Sequence, residues 1–198
     1  MSASLVLASK SATRRAVLEG AGVAFETVGS GVDEEAAKAA LLAARATPRQ
    51  VAEALAEDKA IAVSVGRPEL VIGADQTLEF QGRLYDKAAT LDDARARLKT
   101  LRGKPHQLHS AVVVAQGGAV VWRETQSATL RMRDFSDDFL DAYLAAEGEA
   151  MLGSVGCYRL EGLGAQLFAR IDGDYFTILG LPLMGLLELL RRRGVLSP

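Results

Sequence analysis

The stretch LVIGADQTLEF, residues 70–80, sets one carboxylate among apolar residues. The continuous apolar run before Asp75 predicts a buried strand that ends at that residue. Because ligands of open α/β sheets bind at the carboxyl ends of strands, Asp75 is a candidate functional group. A shielded carboxylate needs a metal ion, a cation or hydrogen bonds to offset its charge. The alternative is an Asp that turns the chain into a hairpin, which Gly73 also allows, and this stretch leaves both open.

Helical and strand patterns alternate on either side of this stretch. An apolar strand at residues 4–8 precedes a helix over about residues 12–20. The sequence TPRQ, residues 47–50, predicts a capped helix start with proline at the first helical position. Hairpin turns are predicted at Gln81-Gly82 and Gly117-Gly118. We therefore expect an α/β fold with a mixed, partly antiparallel twisted sheet and flanking helices.

Length, charge and composition narrow the class of protein. The 198 residues fit a single domain, 1–198, or two lobes that share one core. A net charge of -2 offers no broad attraction to nucleic acid or to anionic membranes, so an anion site must be local. Cys157 is the only cysteine, which suits a reducing compartment and a packing role. With no signal-like or membrane-spanning run, we expect a cytoplasmic protein with neither nucleic acid nor membrane as a partner.

The first candidate binding stretch is LASKSATRR, residues 7–15. A strand runs into hydroxyl groups and then into a helix whose first turn carries Arg14 and Arg15. Free backbone N–H groups and guanidinium groups at a helix start bind phosphate oxygens. The alternative is a solvated face, although arginines there are unfavourable to the helix dipole.

The second candidate is an acidic stretch, GVDEEAAK at residues 31–38. Asp33, Glu34 and Glu35 repel one another, and carboxylate oxygens of this kind bind hard divalent cations. The alternative is an ordinary acidic helix start, which the dipole favours.

Two lysines and two histidines complete the set of candidates. Lys59 is predicted to lie beside the buried stripe of its helix, the stripe being Val51, Leu55, Asp58, Ala62 and Val65. Lys87 follows a hairpin that folds back near Asp75, and each lysine could equally be a snorkelling surface residue. His106 and His109 are three apart on a predicted strand, so they face opposite sides and cannot share a metal ion.

Glycines are concentrated in GCYRLEGLGA, residues 156–165. Gly162 and Gly164 flank Leu163 directly after Glu161, which indicates close backbone approach to a neighbour or a ligand. The alternative is a pair of bulged strands. The stretch lacks the Gly-Lys-Ser/Thr ending of a P-loop.

Taken in order, these motifs resemble the Maf family of nucleoside triphosphate pyrophosphatases, and the resemblance covers nearly the whole chain. The matching motifs are LAS.S..RR..L at 7–18, VDE at 32–34, LAEDKA at 55–60, IGADQ at 72–76, YDK at 85–87, G..H.L.S at 103–110, GCYRLEGLGA at 156–165 and GLPL at 180–183.

The resemblance implies roles for particular residues. Asp75 matches the family's general base, and Glu34 matches a metal-binding carboxylate close to it. The residues that would hold the triphosphate are Ser9, Arg14, Lys59 and Lys87. A two-lobed fold similar to that of inosine triphosphate pyrophosphatases is also implied, with the nucleotide in the cleft, a divalent cation (Mg²⁺ or Mn²⁺) and a homodimer.

Three positions match the family's specificity set: Thr13, Gln76 and Glu161. Gln76 and Glu161 resemble the branch that hydrolyses 7-methyl-GTP, a modified nucleotide whose removal would be a house-cleaning task. Thr13 departs from that branch, which carries an aromatic residue there, and an aromatic face would favour a cationic methylated base. The nucleobase stays open, with a dTTP/UTP-type enzyme as the alternative.

Two further hypotheses compete with this interpretation. A non-catalytic nucleotide-binding regulator of cell division would use the same cleft, but binding alone does not need a base beside a metal. An aspartyl phosphatase would use Asp75 as its nucleophile, but such enzymes carry a second Asp two residues on, and Thr77 stands there.

Overall fold

A computed structural model describes residues 5–197. Seven strands lie within this range: β1 (Leu5–Leu7), β2 (Glu26–Thr27), β3 (Leu70–Phe80), β4 (Arg83–Tyr85), β5 (Pro105–Gln116), β6 (Ala119–Met132) and β7 (Phe168–Asp172). The α-helices in it are α1 (Ala12–Gly20), α2 (Glu34–Ala43), α3 (Pro48–Ser64), α4 (Leu91–Leu101), α5 (Asp137–Glu147), α6 (Tyr175–Ile178) and α7 (Leu183–Arg192). Two 3-10 helices cover Gly148–Gly153 and Leu163–Leu167. Ser4, the first residue of the predicted strand at 4–8, lies outside the described residues.

The strands form one mixed sheet in the order β2-β1-β3-β5-β6-β7, with β4 paired to β3. β1 is parallel to β2 and β3. The neighbouring pairs β3–β5, β5–β6 and β6–β7 are each antiparallel. The predicted mixed α/β fold is confirmed. The two predicted hairpin turns are also present, because β4 follows β3 and β6 follows β5 through turns in which both residues have positive φ.

One edge of β3 is open in its middle. β5 pairs with β3 from Val71 to Glu79 along one edge. On the other edge β1 pairs with residues 70–72 and β4 with residues 78–80. Residues 73–77, which include Asp75 and Gln76, therefore lie in a gap between two strand partners.

The face of β3 that carries Leu70, Ile72 and Ala74 contributes to two separate apolar clusters. The cluster at the β1 end, here the β1 core, includes Leu5, Leu7, Leu18, Leu70, Ile72, Val112, Leu183 and Leu186. The cluster at the other end, the α4 core, includes Leu78, Phe80, Leu98, Leu101, Leu108, Leu130, Cys157 and Tyr158. Gln76 stands between them on the same face, because strand residues alternate in direction. The β1 core and the α4 core are the interiors of the two lobes.

The opposite face of β3 packs against α3, which begins with the predicted capping box at Thr47 and Gln50. The predicted buried stripe of α3 was partly wrong. Asp58, Ala62 and Val65 are not buried, and the buried set is Pro48, Val51, Ala52, Leu55, Ala56, Lys59, Ala60, Val63 and Ser64. Small alanines allow the helix to lie close to the sheet, and this places Lys59 inside the buried face rather than beside it.

No helix among residues 5–197 is both long enough and apolar enough to cross a membrane.

Candidate active site

A cavity of about 1710 Å³ opens at the gap in β3. Both cores contribute to its walls, for example Val17 and Leu183 from the β1 core and Tyr158 from the α4 core. The polar lining comes from the loop after β1, the first turns of α1 and α2, the middle of β3 and the segment after β4. A cavity of this size and polarity is large enough for a nucleotide.

Asp75 lies in the middle of β3, so both sequence interpretations of its position were wrong. The strand does not end at Asp75, and the residue does not turn the chain, because β3 continues to Phe80 and keeps its register with β5 as far as Glu79. Asp75 is 8% exposed. A carboxylate this far inside a sheet needs a charged partner.

Lys59 on α3 is that partner. Its Nζ donates to Asp75 Oδ1 at 2.7 Å and to Glu34 Oε2 at 2.8 Å. Lys59 is 4% exposed, so one buried ammonium is shared by two carboxylates. A charge-assisted hydrogen bond to each acid is stronger than a neutral one.

Gly73 allows Lys59 to reach Asp75. A β-carbon on Gly73 would lie 2.2 Å from the carbonyl oxygen of Ala56 and 2.5 Å from the backbone nitrogen of Ala60. The helix therefore contacts the strand backbone directly. The glycine supports close packing of α3 rather than the turn that the sequence allowed.

Glu34 comes from the first turn of α2. Asp33 caps that helix by accepting from the Ala36 backbone N–H at 3.0 Å, so the capping interpretation of the acidic stretch holds for Asp33. The Glu34 side chain is 48% exposed, and its carboxylate reaches into the cavity to Lys59. Glu35 also lines the cavity.

Arg14 is the member of the arginine pair that enters the site. Its Nε donates to the carbonyl oxygen of Gly180 at 2.9 Å, and its Nη1 donates to Ser9 Oγ at 3.3 Å. Burial lowers the pKa of Arg14, while the carboxylates of Asp75 and Glu34 oppose that shift. Arg15 points away and pairs with Glu19 on the surface of α1.

Lys87 lines the same cavity from the segment after β4. Burial lowers the pKa of its ammonium group, and the positive charge of Arg14 lowers it further. The cavity therefore brings together Ser9, Arg14, Lys59 and Lys87, the residues singled out by the resemblance, with the carboxylates of Glu34 and Asp75.

The three proposed specificity positions, Thr13, Gln76 and Glu161, also line the cavity. The Gln76 amide nitrogen donates to Ser110 Oγ at 2.9 Å and to the carbonyl oxygens of Thr177 and Ile178 at 3.1 and 3.0 Å. Because carbonyl oxygens only accept, this network sets the orientation of the amide and leaves its own oxygen for a ligand.

Glu161 stands near a residue that the sequence analysis missed. Arg159 Nε lies 3.5 Å from Glu161 Oε1, and both side chains line the cavity. Gly164 would place a β-carbon 2.5 Å from the Arg159 carbonyl oxygen, so the predicted close backbone approach is confirmed at this glycine. The alternative of bulged strands was wrong, because residues 163–167 form a 3-10 helix.

Tyr175 and Phe176, at the start of α6, were missed as well. Both line the cavity, with ring centroids 5.6 Å apart in an edge-on arrangement. Tyr175 is 46% exposed. The signal was the aromatic pair that follows Asp174, which caps this short helix.

His106 and His109 face opposite sides of β5, as predicted, with Tyr158 beside one and Glu79 beside the other. Among residues 5–197, no group of three or more His, Cys, Asp or Glu side chains has the geometry of a metal site. Glu34 and Asp75 are the two carboxylates of the described cavity that converge on one point, the Lys59 ammonium.

The fold and the site together define a mixed α/β protein with a large cavity in which buried lysine and arginine side chains lie beside carboxylates. The family model for Maf-like proteins matches residues 4–193, and the chain belongs to this family.

Its relatives match along almost their whole length. A nucleoside triphosphate pyrophosphatase of Caulobacter vibrioides is 62% identical over 193 residues, which is 98% of this chain and 97% of the relative. A 7-methyl-GTP pyrophosphatase of Brucella abortus is 48% identical over 193 residues, 97% of each chain. Among solved structures, a HAM1 protein from Coxiella burnetii overlaps 67% of this chain and 74% of its own, with a TM-score of 0.43 and 12% identity, too loose an overlap to support an argument.

Proposed function

We propose that this protein hydrolyses a nucleoside triphosphate to its monophosphate and pyrophosphate in the cavity at the gap in β3. The observation that carries the proposal is a buried carboxylate, Asp75, in a cavity that also holds the cationic side chains of Arg14, Lys59 and Lys87. Relatives named nucleoside triphosphate pyrophosphatase support the reaction type.

The reaction joins a water oxygen to the α-phosphorus and breaks the bond from that phosphorus to the bridging oxygen. Asp75 accepts the water proton as the general base. Pyrophosphate leaves with the bridging oxygen, and Arg14, Lys59 and Lys87 offset the negative charge that develops on it. The Arg14 guanidinium donates hydrogen bonds to Gly180 and Ser9, and these keep its positive charge in a defined position.

A divalent cation, Mg²⁺ or Mn²⁺, fits the cavity. Support for this comes from the Lys59 ammonium, which lies within 2.8 Å of both Glu34 and Asp75, so these two carboxylates already hold a cation. Mg²⁺ is commonly held by one or two carboxylates with substrate phosphates and water. When bound, the metal would neutralise phosphate charge and lower the pKa of the attacking water.

The base-recognition groups favour a nucleobase rich in N–H donors. Gln76 offers its amide oxygen and Glu161 its carboxylate, so both are acceptors, and guanine carries N–H groups that match them. In the branch that hydrolyses 7-methyl-GTP, the position of Thr13 carries an aromatic residue, whose ring would stack on a methylated guanine. Here Tyr175 supplies an exposed aromatic face in the same cavity. A relative named 7-methyl-GTP pyrophosphatase is consistent with this.

A product assay tests the proposal. The protein is incubated with a panel of nucleotides, including GTP, 7-methyl-GTP, dTTP and UTP, with Mg²⁺ or Mn²⁺, and the products are identified. Monophosphate plus pyrophosphate supports the proposal. Orthophosphate would instead indicate the aspartyl phosphatase, and absence of turnover would indicate a nucleotide-binding regulator.

Base stacking is tested with a matched pair, Tyr175→Ala and Tyr175→Phe. We expect the alanine variant to raise KM for 7-methyl-GTP about tenfold or more, since base stacking on an aromatic ring contributes about 1–3 kcal/mol. The phenylalanine variant should retain the wild-type KM. Equal KM values in all three proteins would exclude Tyr175 from base recognition.

The proposal includes a homodimer that works in the cytoplasm, where removal of modified nucleotides would be a house-cleaning role. Light scattering tests the dimer, with an expected mass about twice the 21.0 kDa of one chain. A monomeric mass at assay concentration would contradict it.

A further inference from the structure

Lys59 lies between the two carboxylates that are proposed to hold the metal ion. Its Nζ is 2.7 Å from Asp75 Oδ1 and 2.8 Å from Glu34 Oε2. Among the acidic side chains that line the cavity, these are the two that share one cation in the described residues. A carboxylate oxygen that accepts from an ammonium at this distance is not free to coordinate a second cation in the same direction.

The local charge also disfavours a bare metal ion. The lining of the cavity carries six lysine and arginine side chains and five carboxylates, a formal excess of one positive charge, and three of the cations (Arg14, Lys59 and Lys87) interact with Glu34 and Asp75. These groups interact with one another: burial and Arg14 lower the pKa of Lys87, while the two carboxylates raise it. A divalent cation would add to the positive charge, whereas a complex of the metal with a nucleoside triphosphate remains an anion and would reduce it.

We propose that Lys59 competes with the divalent cation for Glu34 and Asp75, so that the free protein binds metal weakly and the metal enters as its nucleotide complex. Phosphate oxygens then take over as partners of the Lys59 ammonium, which its flexible four-carbon stem permits. This inference rests on the proposed function, and it gives the lysine two successive partners, acids in the free protein and phosphate in the complex.

If Lys59 only bound phosphate, its removal would not strengthen the binding of metal alone. The proposed competition predicts that it does. Removing the ammonium should weaken nucleotide binding but strengthen the binding of metal alone, because both carboxylates become free. Lys87→Met provides a matched control. It removes one positive charge from the same cavity without releasing either carboxylate, since Lys87 forms no ion pair with Glu34 or Asp75 among the described residues.

The experiment is a Mn²⁺ titration followed by the EPR signal of free Mn²⁺, without nucleotide, on wild type, Lys59→Met and Lys87→Met. We expect Lys59→Met to bind Mn²⁺ at least about tenfold more tightly than Lys87→Met, a difference of about 1.4 kcal/mol. Equal affinities in the two variants would show a general charge effect and overturn the proposal. Adding Glu34→Gln to Lys59→Met should remove the gain.

A second measurement uses wild type alone, in case Lys59→Met does not fold. Mn²⁺ binding is compared without nucleotide and with a non-hydrolysable α,β-methylene triphosphate, after subtraction of Mn²⁺ bound by the nucleotide in solution. Tight binding to the nucleotide-free protein would overturn the inference. Because the titration without nucleotide involves no turnover, its failure is separate from failure of the pyrophosphatase assay.

Discussion

Two clusters of charged side chains in this molecule pair cations with carboxylates in opposite ratios. On the surface, Asp137 at the start of α5 pairs with Lys99 and Arg102 from the end of α4, so two cations serve one acid. In the cavity, one ammonium on Lys59 serves two acids. The Asp137 side chain is 53% exposed, whereas the Lys59 side chain is 5% exposed.

The two clusters differ in what they contribute to the fold. The surface cluster links two helices, and exposed ion pairs contribute little to stability. In the cavity, the Lys59–Asp75 pair is buried, and apolar residues of similar volume would often be at least as stable there. A buried set of charges that the fold does not need is therefore best explained by a charged ligand.

Asp75→Asn should produce the largest effect. Asparagine keeps the shape of the side chain but cannot accept a proton from water, and a general base contributes about 10²- to 10⁴-fold. We expect kcat for pyrophosphate release to fall by about 10³-fold while the circular dichroism spectrum stays native. Activity within about tenfold of wild type would contradict the role of Asp75.

His106 adds a buried group that carries no charge. It is 2% exposed, Nε2 lies 2.7 Å from the Tyr158 hydroxyl, and burial lowers the pKa of His106 to about 4. Between about pH 6.5 and pH 4 the unfolded chain binds a proton that the folded protein does not, so stability falls as the pH falls through this window. The loss approaches about 3 kcal/mol.

Urea unfolding at several pH values measures this loss. Wild type should lose stability more steeply between pH 6.5 and pH 4 than His106→Gln, which has no imidazole to protonate. Parallel pH profiles for the two proteins would show that His106 is not the titrating group.

Glu34→Gln should have a smaller effect than Asp75→Asn, because Glu34 supports the metal but does not take the proton. We expect activity to fall about 10- to 100-fold and to recover in part as Mg²⁺ is raised. A loss that no concentration of metal restores would argue that Glu34 acts only through Lys59.

Asp137→Asn should have the smallest effect and should leave kcat unchanged. The hydrogen bonds from Arg102 and Lys99 lower the pKa of Asp137 to about 2. Its contribution to stability is therefore fully present above about pH 4 and is lost as the pH falls toward 2. Thermal unfolding should show a small difference between wild type and variant at neutral pH that disappears near pH 2. Loss of turnover would erase the distinction between the two clusters.

The sequence singled out residues that line the cavity, but it misplaced Asp75 within its strand and Lys59 on its helix. Asp75 is conspicuous because a carboxylate interrupts an apolar run, and that signal is local. Its place in the middle of a strand depends on β5, whose pairing partner for Asp75 is Ala111. No pattern within residues 70–80 specifies a partner so distant in the chain.

Packing explains the other differences from the sequence analysis. Lys59 was placed beside the buried stripe because the predicted stripe ran through Asp58, Ala62 and Val65, which are exposed in the structure. The real contact face of α3 consists largely of alanines against Gly73, and that arrangement is visible only once the helix and the strand are brought together. Tyr175 was missed because its helix is a single turn, Tyr175–Ile178, without helical periodicity.

At Gly73, main-chain atoms of α3 and β3 are in direct contact, so no side chain sets the distance between the helix and the strand. Any other residue would place a carbon atom where Ala56 and Ala60 already have main-chain atoms, so no rearrangement of neighbouring side chains relieves the clash. A random mutagenesis screen scored on enzyme activity should therefore find position 73 intolerant even of alanine. In such a map, intolerance would mark a residue that sets the distance between Lys59 and Asp75, although it does not itself line the cavity.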